Sequence, residues 1–552
     1  MTGSRGRSGI GWCAAAVVVA ALVLAPVVAL LVQALRGDAA QWPHLLANVL
    51  PPALLDTTVM LAGIGVLVVV LGTGAAWLVS AWDFPGRRAL EWALLLPLAV
   101  PTYIVAYAYV DLLHPLGPVQ SALRGVFGIV DPRGLWFPEV RSLPAAIVLL
   151  GFVLYPYVYL SVRAMFLMQS ASLVDAARSL GHSGRSVFFR VALPLARPAI
   201  AVGTALALME ALNDIGASEF LGVRTLTVSI YSTWVNRSDL AGAAQIALVM
   251  LAVVVALLWM ERFGRRHQRY NLDPQRSRRM SPKRLHGARA GMALAAGVVP
   301  VIVGFGLPAT HLLVQSVERI RFAGFPGGLL DASLTTLTLA ALATVVTVLA
   351  GLVVAWSVRL RPGRAMHALE RISGLGYAIP GTVLAIGVLA PLGALDVWLG
   401  DVLEDVFGIA VGLVLLGSGA ALVYTYAVRF LAVSTGGIES GLARIPPSLD
   451  QAARMLGRSP SEVLWQVDLP LIRPALAAAA LLVFVDCMKE LPATLLLRPL
   501  NVETLATRLY GEAARGTYEE GALAALIIVL AGLLPVIVLA RIGRQGGAVD
   551  KP

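Results

Sequence analysis

The chain is 552 residues long, 58% apolar and only 14% charged, with a mean hydropathy of +0.80 and a formal net charge of +11. Soluble globular domains carry about 25% charged residues, so that class is excluded, and repeated apolar runs long enough to cross a bilayer indicate a polytopic membrane protein. The basic residues fall in short segments between those runs, with no aromatic-basic platform for nucleic acid, which assigns the charge to membrane topology.

Arg5 and Arg7 precede an apolar run from Trp12 to Leu35, longer than a signal-peptide core and followed by further runs, so it reads as an uncleaved first span. Five more segments follow at 55–80, 90–112, 143–167, 197–222 and 240–261. Arg262–Ala290 is polar and basic, contains Pro274 and Pro282, and reads as a flexible linker lying against anionic lipid. Six further segments occupy 291–317, 331–358, 372–395, 409–433, 473–497 and 520–541. The expected domains are therefore a first six-span half (1–261), the linker (262–290) and a second six-span half (291–552). The segment 113–142 is long enough to lie on the membrane or touch an external partner. Cys13 and Cys487 both lie inside apolar runs, which argues against a disulfide framework.

One stretch occurs twice. Ser172–Pro198 (SLVDAARSLGHSGRSVFFRVALPLARP) and Ser448–Pro474 (SLDQAARMLGRSPSEVLWQVDLPLIRP) align without a gap and share 15 of 27 residues. Ser172 and Ser448 stand three residues before Asp175 and Gln451, a capping spacing, and Gly181 and Gly457 stop the helix that follows. Ser183 and Ser459 open a second helix, with Glu462 completing a capping box in the second copy. Each copy reads as two short helices hinged at a glycine at the mouth of a span. Thr57-Thr58 and Ala76-Trp77 recur as Thr335-Thr336 and Ala355-Trp356, and Val100-Pro101 recurs as Ile379-Pro380, so the whole six-span unit is duplicated. An even number of spans per unit keeps the copies in one orientation. The expected fold is all-α and polytopic, with about twelve transmembrane helices as two parallel six-helix repeats.

With the N-terminus inside, 31 Lys and Arg residues fall on the cytoplasmic side and 11 on the outer side. The positive-inside rule then places both repeated loops and both termini in the cytoplasm.

The informative polar residues follow the repeated loops. Glu210 and Asp214 in span five match Asp486 and Glu490 in span eleven, where Lys489 could neutralise a neighbour. A spacing of four sets each acidic pair on one helix face. Carboxylates in hydrocarbon are costly unless paired or wetted, so these residues either line a translocation path or clamp helices together. No phosphate-binding loop is present: none of Lys283, Lys489 and Lys551 follows a glycine at the required spacing. The seven histidines are scattered, so neither a catalytic set nor a metal site is expected.

Ala-Ala, a glycine four residues on and the Leu-Pro ending resemble the cytoplasmic loop of ABC importer permeases. That family's usual leading Glu is Asp175 in one copy and Gln451 in the other. The resemblance implies that Asp175, Ala176, Ala177, Gly181, Leu193 and Pro194, with Gln451, Ala452, Ala453, Gly457, Leu469 and Pro470, dock onto a separate ATPase. KELPATLLLRP with Thr504-Leu505-Ala506, and NDIGASEF with Thr225-Leu226-Thr227, resemble the fused permeases of ferric-iron importers. This implies a permease without enzymatic activity in the bacterial inner membrane. The resemblance also implies a periplasmic or lipid-anchored binding protein that feeds it and two ATPase copies that drive it and hold the ATP, with no cofactor expected on this chain. Alternatives are a thiamine or other small-solute permease, or a secondary transporter with two six-span halves, which leaves the paired loops unexplained.

Overall fold

The computed structural model describes residues 7–36, 41–132, 134–168, 179, 181, 183–265, 282–409 and 412–545. Its principal helices are α1 (Arg7–Arg36), α2 (Trp42–Ala81), α3 (Thr102–Leu112), α4 (Pro118–Phe127), α5 (Leu143–Met168) and α6 (Gly184–Asn213). They continue as α7 (Ile215–Phe220), α8 (Leu240–Arg265), α9 (Ala288–Ala323), α10 (Leu329–Leu360), α11 (Gly381–Phe407) and α12 (Ala420–Leu442). The series ends with α13 (Pro447–Met455), α14 (Pro460–Met488), α15 (Pro492–Leu497) and α16 (Tyr518–Gln545). Among the described residues 11 helices are long and apolar enough to span a membrane, or 12 if the bent pair Arg87–Ala99 and Thr102–Leu112 is one span.

That pair turns through 89° where a straight span over 90–112 is expected. Pro97 and Pro101 lack the amide hydrogens that would carry the helix through. Tyr155 and Tyr159 of α5 satisfy backbone exposed by the bend, their hydroxyls donating to the carbonyls of Leu94 (2.9 Å) and Glu91 (2.7 Å). The tenth span begins at Ala420 rather than 409. The Asp396 carboxylate accepts the amides of Val414 (2.9 Å), Leu415 (2.6 Å) and Leu416 (2.9 Å), which fixes the preceding residues as a loop.

A π-helical turn stands before each of four Leu-Pro steps: Leu45–Val49, Phe188–Ala192, Ile302–Gly306 and Leu464–Asp468. Proline collides with the carbonyl four residues back, and widening the turn relieves the collision without ending the helix. The second short helix predicted in each repeated loop is therefore the first part of a continuous span, α6 or α14.

The chain packs as two compact units that interleave in sequence. One comprises Met1–Ala47, Ser229–Leu251 and Gly327–Arg508, and the other Asn48–Val228, Ala252–Pro326 and Leu509–Pro552. In the first, α1 packs along α10 and α11 of the other sequence half; in the second, α9 packs against α2, α3 and α16. The leading spans of the two repeats have thus been exchanged, as equivalent elements are in domain swapping.

Within the second unit α5 is wedged between α2 and α6. A Cβ on Gly72 would lie 2.6 Å from Val158 Cβ and 2.8 Å from the Tyr155 carbonyl, and one on Gly203 would lie 2.6 Å from Val158 Cα. Such close approach suits a bilayer, where helices associate through packing rather than hydrophobic exclusion. Gly72→Ala is expected to lower the thermal unfolding temperature in detergent, overpacking costing about 1–3 kcal/mol. Gly74→Ala, with open space at its Cβ, leaves it unchanged.

Candidate functional site

The repeated elbows are anchored in the same way at their span-side ends. Trp77 of α2 packs on Val187 and Phe188 of α6. Trp356 of α10, fully buried, packs on Val463, Leu464 and Val467 of α14. The duplicated Ala-Trp step is thus the socket in which each elbow sits. Ser183 caps α6 by accepting the Ser186 amide (3.3 Å). Ser459 and Glu462 form the expected capping box on α14, with bonds of 2.7 and 3.3 Å. Gly181 (φ +83°) and Gly457 (φ +88°) are both left-handed, a conformation that strains any residue with a Cβ. Leu193-Pro194 and Leu469-Pro470 follow the two π turns.

Asp175, Ala176 and Ala177 lie outside the described residues, as does Ser172. In the second copy Gln451, Ala452 and Ala453 lie on α13. That helix starts at Pro447 with a proline in its first turn and no side-chain cap, so Ser448 is inside the helix rather than its cap. Proline's fixed φ does the work assigned to the serine. Gln451 and Ala452 are exposed, and next to them Met455 and Leu456 are 89% and 84% exposed.

Sequence reasoning missed the clamp beneath this elbow. Arg359, in the last turn of α10, bonds Asp450 through two nitrogens (2.8 and 3.1 Å) and donates to the carbonyls of Leu442 (2.6 Å) and Ile445 (3.2 Å). Asp468, fully buried in the π turn, lies 3.7 Å from the same guanidinium. One cation thereby ties both ends of the elbow to a span. The matching residues of the first copy are Ser80, Val174 and Ala192, so this clamp belongs to the second elbow alone. Trp12 of α1 adds a further tie, its indole donating to Ser461 (3.1 Å) and its carbonyl accepting from Ser357 (2.9 Å).

The acidic residues mark two broken spans. Helix α6 ends at Asn213, and Asp214 takes an extended conformation (φ −80°, ψ 107°) and caps α7 by accepting the Ala217 amide at 2.9 Å. Likewise α14 ends at Met488, and Glu490 accepts the amides of Ala493 and Thr494 (3.2 Å each) at the start of α15. The break removes the shared helix face expected from the spacing of four, because Asp214 and Glu490 no longer continue the helices that carry Glu210 and Asp486. Glu490 also pairs with Arg429 of α12, and Thr494 donates to it at 3.0 Å while bonding Tyr426 at 2.5 Å. Asp486 pairs with Lys489 at 2.8 Å. In the first copy the positions of those two cations hold Val153 and Asn213, while Glu210 is half-buried. A threonine tightens each broken region: Thr57 accepts the Leu226 amide (3.0 Å) and Thr336 the Leu505 amide (2.9 Å).

Residues 68–269 and again 347–545 match the family described as the binding-protein-dependent transport system inner membrane component. The chain belongs to this family. It is 24% identical over 490 residues to the Fe(3+)-transport system permease protein FbpB 2 of Haemophilus influenzae, covering 88% of this chain and 89% of that one. It is 25% identical over 516 residues to the probable ABC transporter permease protein y4fN of Sinorhizobium fredii, covering 89% and 87%. The molybdenum transport system permease protein ModB of Escherichia coli is 30% identical over 202 residues, which are 34% of this chain and 84% of ModB. The family match falls twice, once on each repeat, so the protein is a permease component with both halves in one chain.

Arg359→Met strands two buried carboxylates, a loss worth about 3 kcal/mol, so tryptic cleavage after Arg454 and Arg458 should rise roughly tenfold or more while the first elbow is unaffected. Adding Asp450→Asn and Asp468→Asn should reverse most of that rise. Glu490→Gln, which leaves Arg429 buried without its counter-charge, should lower thermal stability by about 3 kcal/mol. Asp214→Asn keeps a competent cap and should cost well under 1 kcal/mol.

Proposed function

We propose that this permease carries ferric iron across the bacterial inner membrane, driven by two copies of a separate ATPase and fed by a periplasmic or lipid-anchored iron-binding protein. The observation that carries the coupling part is the second elbow. Its α13 turns Ala452, Met455 and Leu456 outward at the end of a helix pair pinned to α10 by Trp356 and Arg359. A partner that grips this apolar tip pulls on α14 across the Gly457 hinge, because Arg359 holds Asp450 of α13 and lies beside Asp468 of α14. Gly181, Leu193 and Pro194 take the equivalent role in the first elbow, together with Asp175, Ala176 and Ala177. Iron as cargo is supported by the similarity over most of the chain to FbpB 2, an Fe(3+)-transport system permease protein. ATP bound on the partner is supported by the lack of a phosphate-binding loop in the sequence. The 31-to-11 division of basic residues supports elbows and termini in the cytoplasm.

In this reading Asp214 and Glu490 hold open the breaks in spans five and eleven. Glu210, Asp486 and Lys489 place charge beside those breaks, along the path. Broken helices that line a site are how transporters admit polar backbone at membrane depth.

The test is reconstitution in liposomes with the candidate ATPase and iron-binding protein. Radiolabelled Fe(III) should accumulate only with ATP and all three components, and Asp214→Asn combined with Glu490→Gln should reduce the rate at equal protein content. ATP-independent uptake driven by an ion gradient would overturn the coupling. Uptake of molybdate or thiamine in place of iron would overturn the cargo alone.

A further inference from the structure

The first unit carries a groove of about 580 Å3 between α1 and α11 that the transport reading leaves unused. Its floor is made of small side chains, Ala25 and Ala29 on α1 with Ala390 and Ala394 on α11. The two helices touch where Gly387 meets the Pro26 carbonyl, the closest approach that α11 allows there. Pro26 also deprives the Leu22 carbonyl of its helical donor, and the Tyr424 hydroxyl supplies one at 2.6 Å. That tie and the glycine contact fix the upper wall. Beyond them Ala25, Ala29 and Val32 of α1 line the space together with Ala390, Pro391 and Ala394 of α11, and the groove stays open.

One end is polar. Gln33 and Arg36, in the last turn of α1, close the groove on the side away from Ala21. From Ala21 to Arg36 the helix rises about 22 Å, longer than one roughly 15 Å leaflet of the hydrocarbon core. Arg36 is also the only basic residue between the first two spans, on the face where the sequence otherwise keeps cations few. A guanidinium at the end of an apolar trough matches a phosphate at the end of an acyl chain. The apolar residues Val28 and Val32, exposed along its edge, continue the lipid-facing surface of α1.

We infer that this groove binds one anionic phospholipid of the bilayer, with an acyl chain over Ala25, Ala29 and Ala394 and the headgroup phosphate on Arg36. Gln33 is positioned to donate to the glycerol ester carbonyls. The lipid completes the seam between α1 and the core of the unit that α1 has joined. The inference does not depend on the cargo or on the ATPase.

The experiment uses the full chain with Cys13→Ser and Val32→Cys, at the groove's edge, labelled with bimane; the native Cys487 is buried and stays unlabelled. The protein is placed in phosphatidylcholine vesicles containing dibrominated phosphatidylglycerol or, separately, dibrominated phosphatidylcholine. Half-maximal quenching should need about fivefold less of the anionic lipid, the scale of one Arg at a charged headgroup. Arg36→Gln should erase that preference and Arg36→Lys should keep most of it. Ala25→Phe, which fills the floor, should return quenching to the level of bulk lipid. Equal quenching by the two lipids, or a preference that survives Arg36→Gln, overturns the inference. So does a label shielded from both lipids, the sign of a protein helix in the groove.

Discussion

Backbone that leaves a helix inside hydrocarbon finds no water, and each unmet amide or carbonyl there costs several kcal/mol. This permease interrupts its spans repeatedly, and the placement of its polar side chains follows from that constraint. Tyr155 and Tyr159 serve the bend at Pro97 and Pro101. Asp214 and Glu490 cap the half-helices after the breaks in α6 and α14. Thr57 and Thr336 each reach across from a neighbouring span to an amide at the start of a following helix. Residues that look in sequence like an array of charges for a passing ion are, in the first instance, caps that make a broken span tolerable.

The elbows answer a different mechanical need. In the proposed coupling, force passes from a loop outside the bilayer into helices within it, and a flexible joint would dissipate the motion. Here the joint is stiff on the span side and hinged on the other: the π turn carries the helix through Leu-Pro, whereas Gly181 and Gly457 turn the chain in left-handed geometry. Trp77 and Trp356 supply the sockets that hold the stiff side. The exchanged α1 also reaches the second elbow through Trp12 and Ser461, so a span contributed by one repeat steadies the lever of the other.

The two repeats have diverged chiefly in charge. The second elbow is clamped by Arg359, Asp450 and Asp468, and the second broken span neutralises its acids with Arg429 and Lys489. The matching positions in the first repeat are uncharged. Buried ion pairs add little net stability relative to apolar packing but fix geometry, since breaking either partner is costly. The first repeat has its own pairs elsewhere, Glu91 with Arg163 (2.9 Å) and Arg87 (3.0 Å), so each copy is fixed at different points.

Duplication, the membrane class, the unequal division of basic residues between the loops, and the places of the elbows, glycine hinges and capping box are all legible in the residues alone. These are local or counting properties: a capping box needs four residues, and a span needs only enough apolar residues in a row. The exchange of α1 and α9, the loop that Asp396 makes of residues 414–416, and the reach of Arg359 to Asp450 and Asp468 emerge from the folded chain. It also turned the i, i+4 acids from one helix face into caps, because a helix ends where the following residues give its backbone a better partner. Contacts between residues distant in sequence leave no periodic trace in composition or spacing, and in a bilayer they alone settle where a helix can afford to stop.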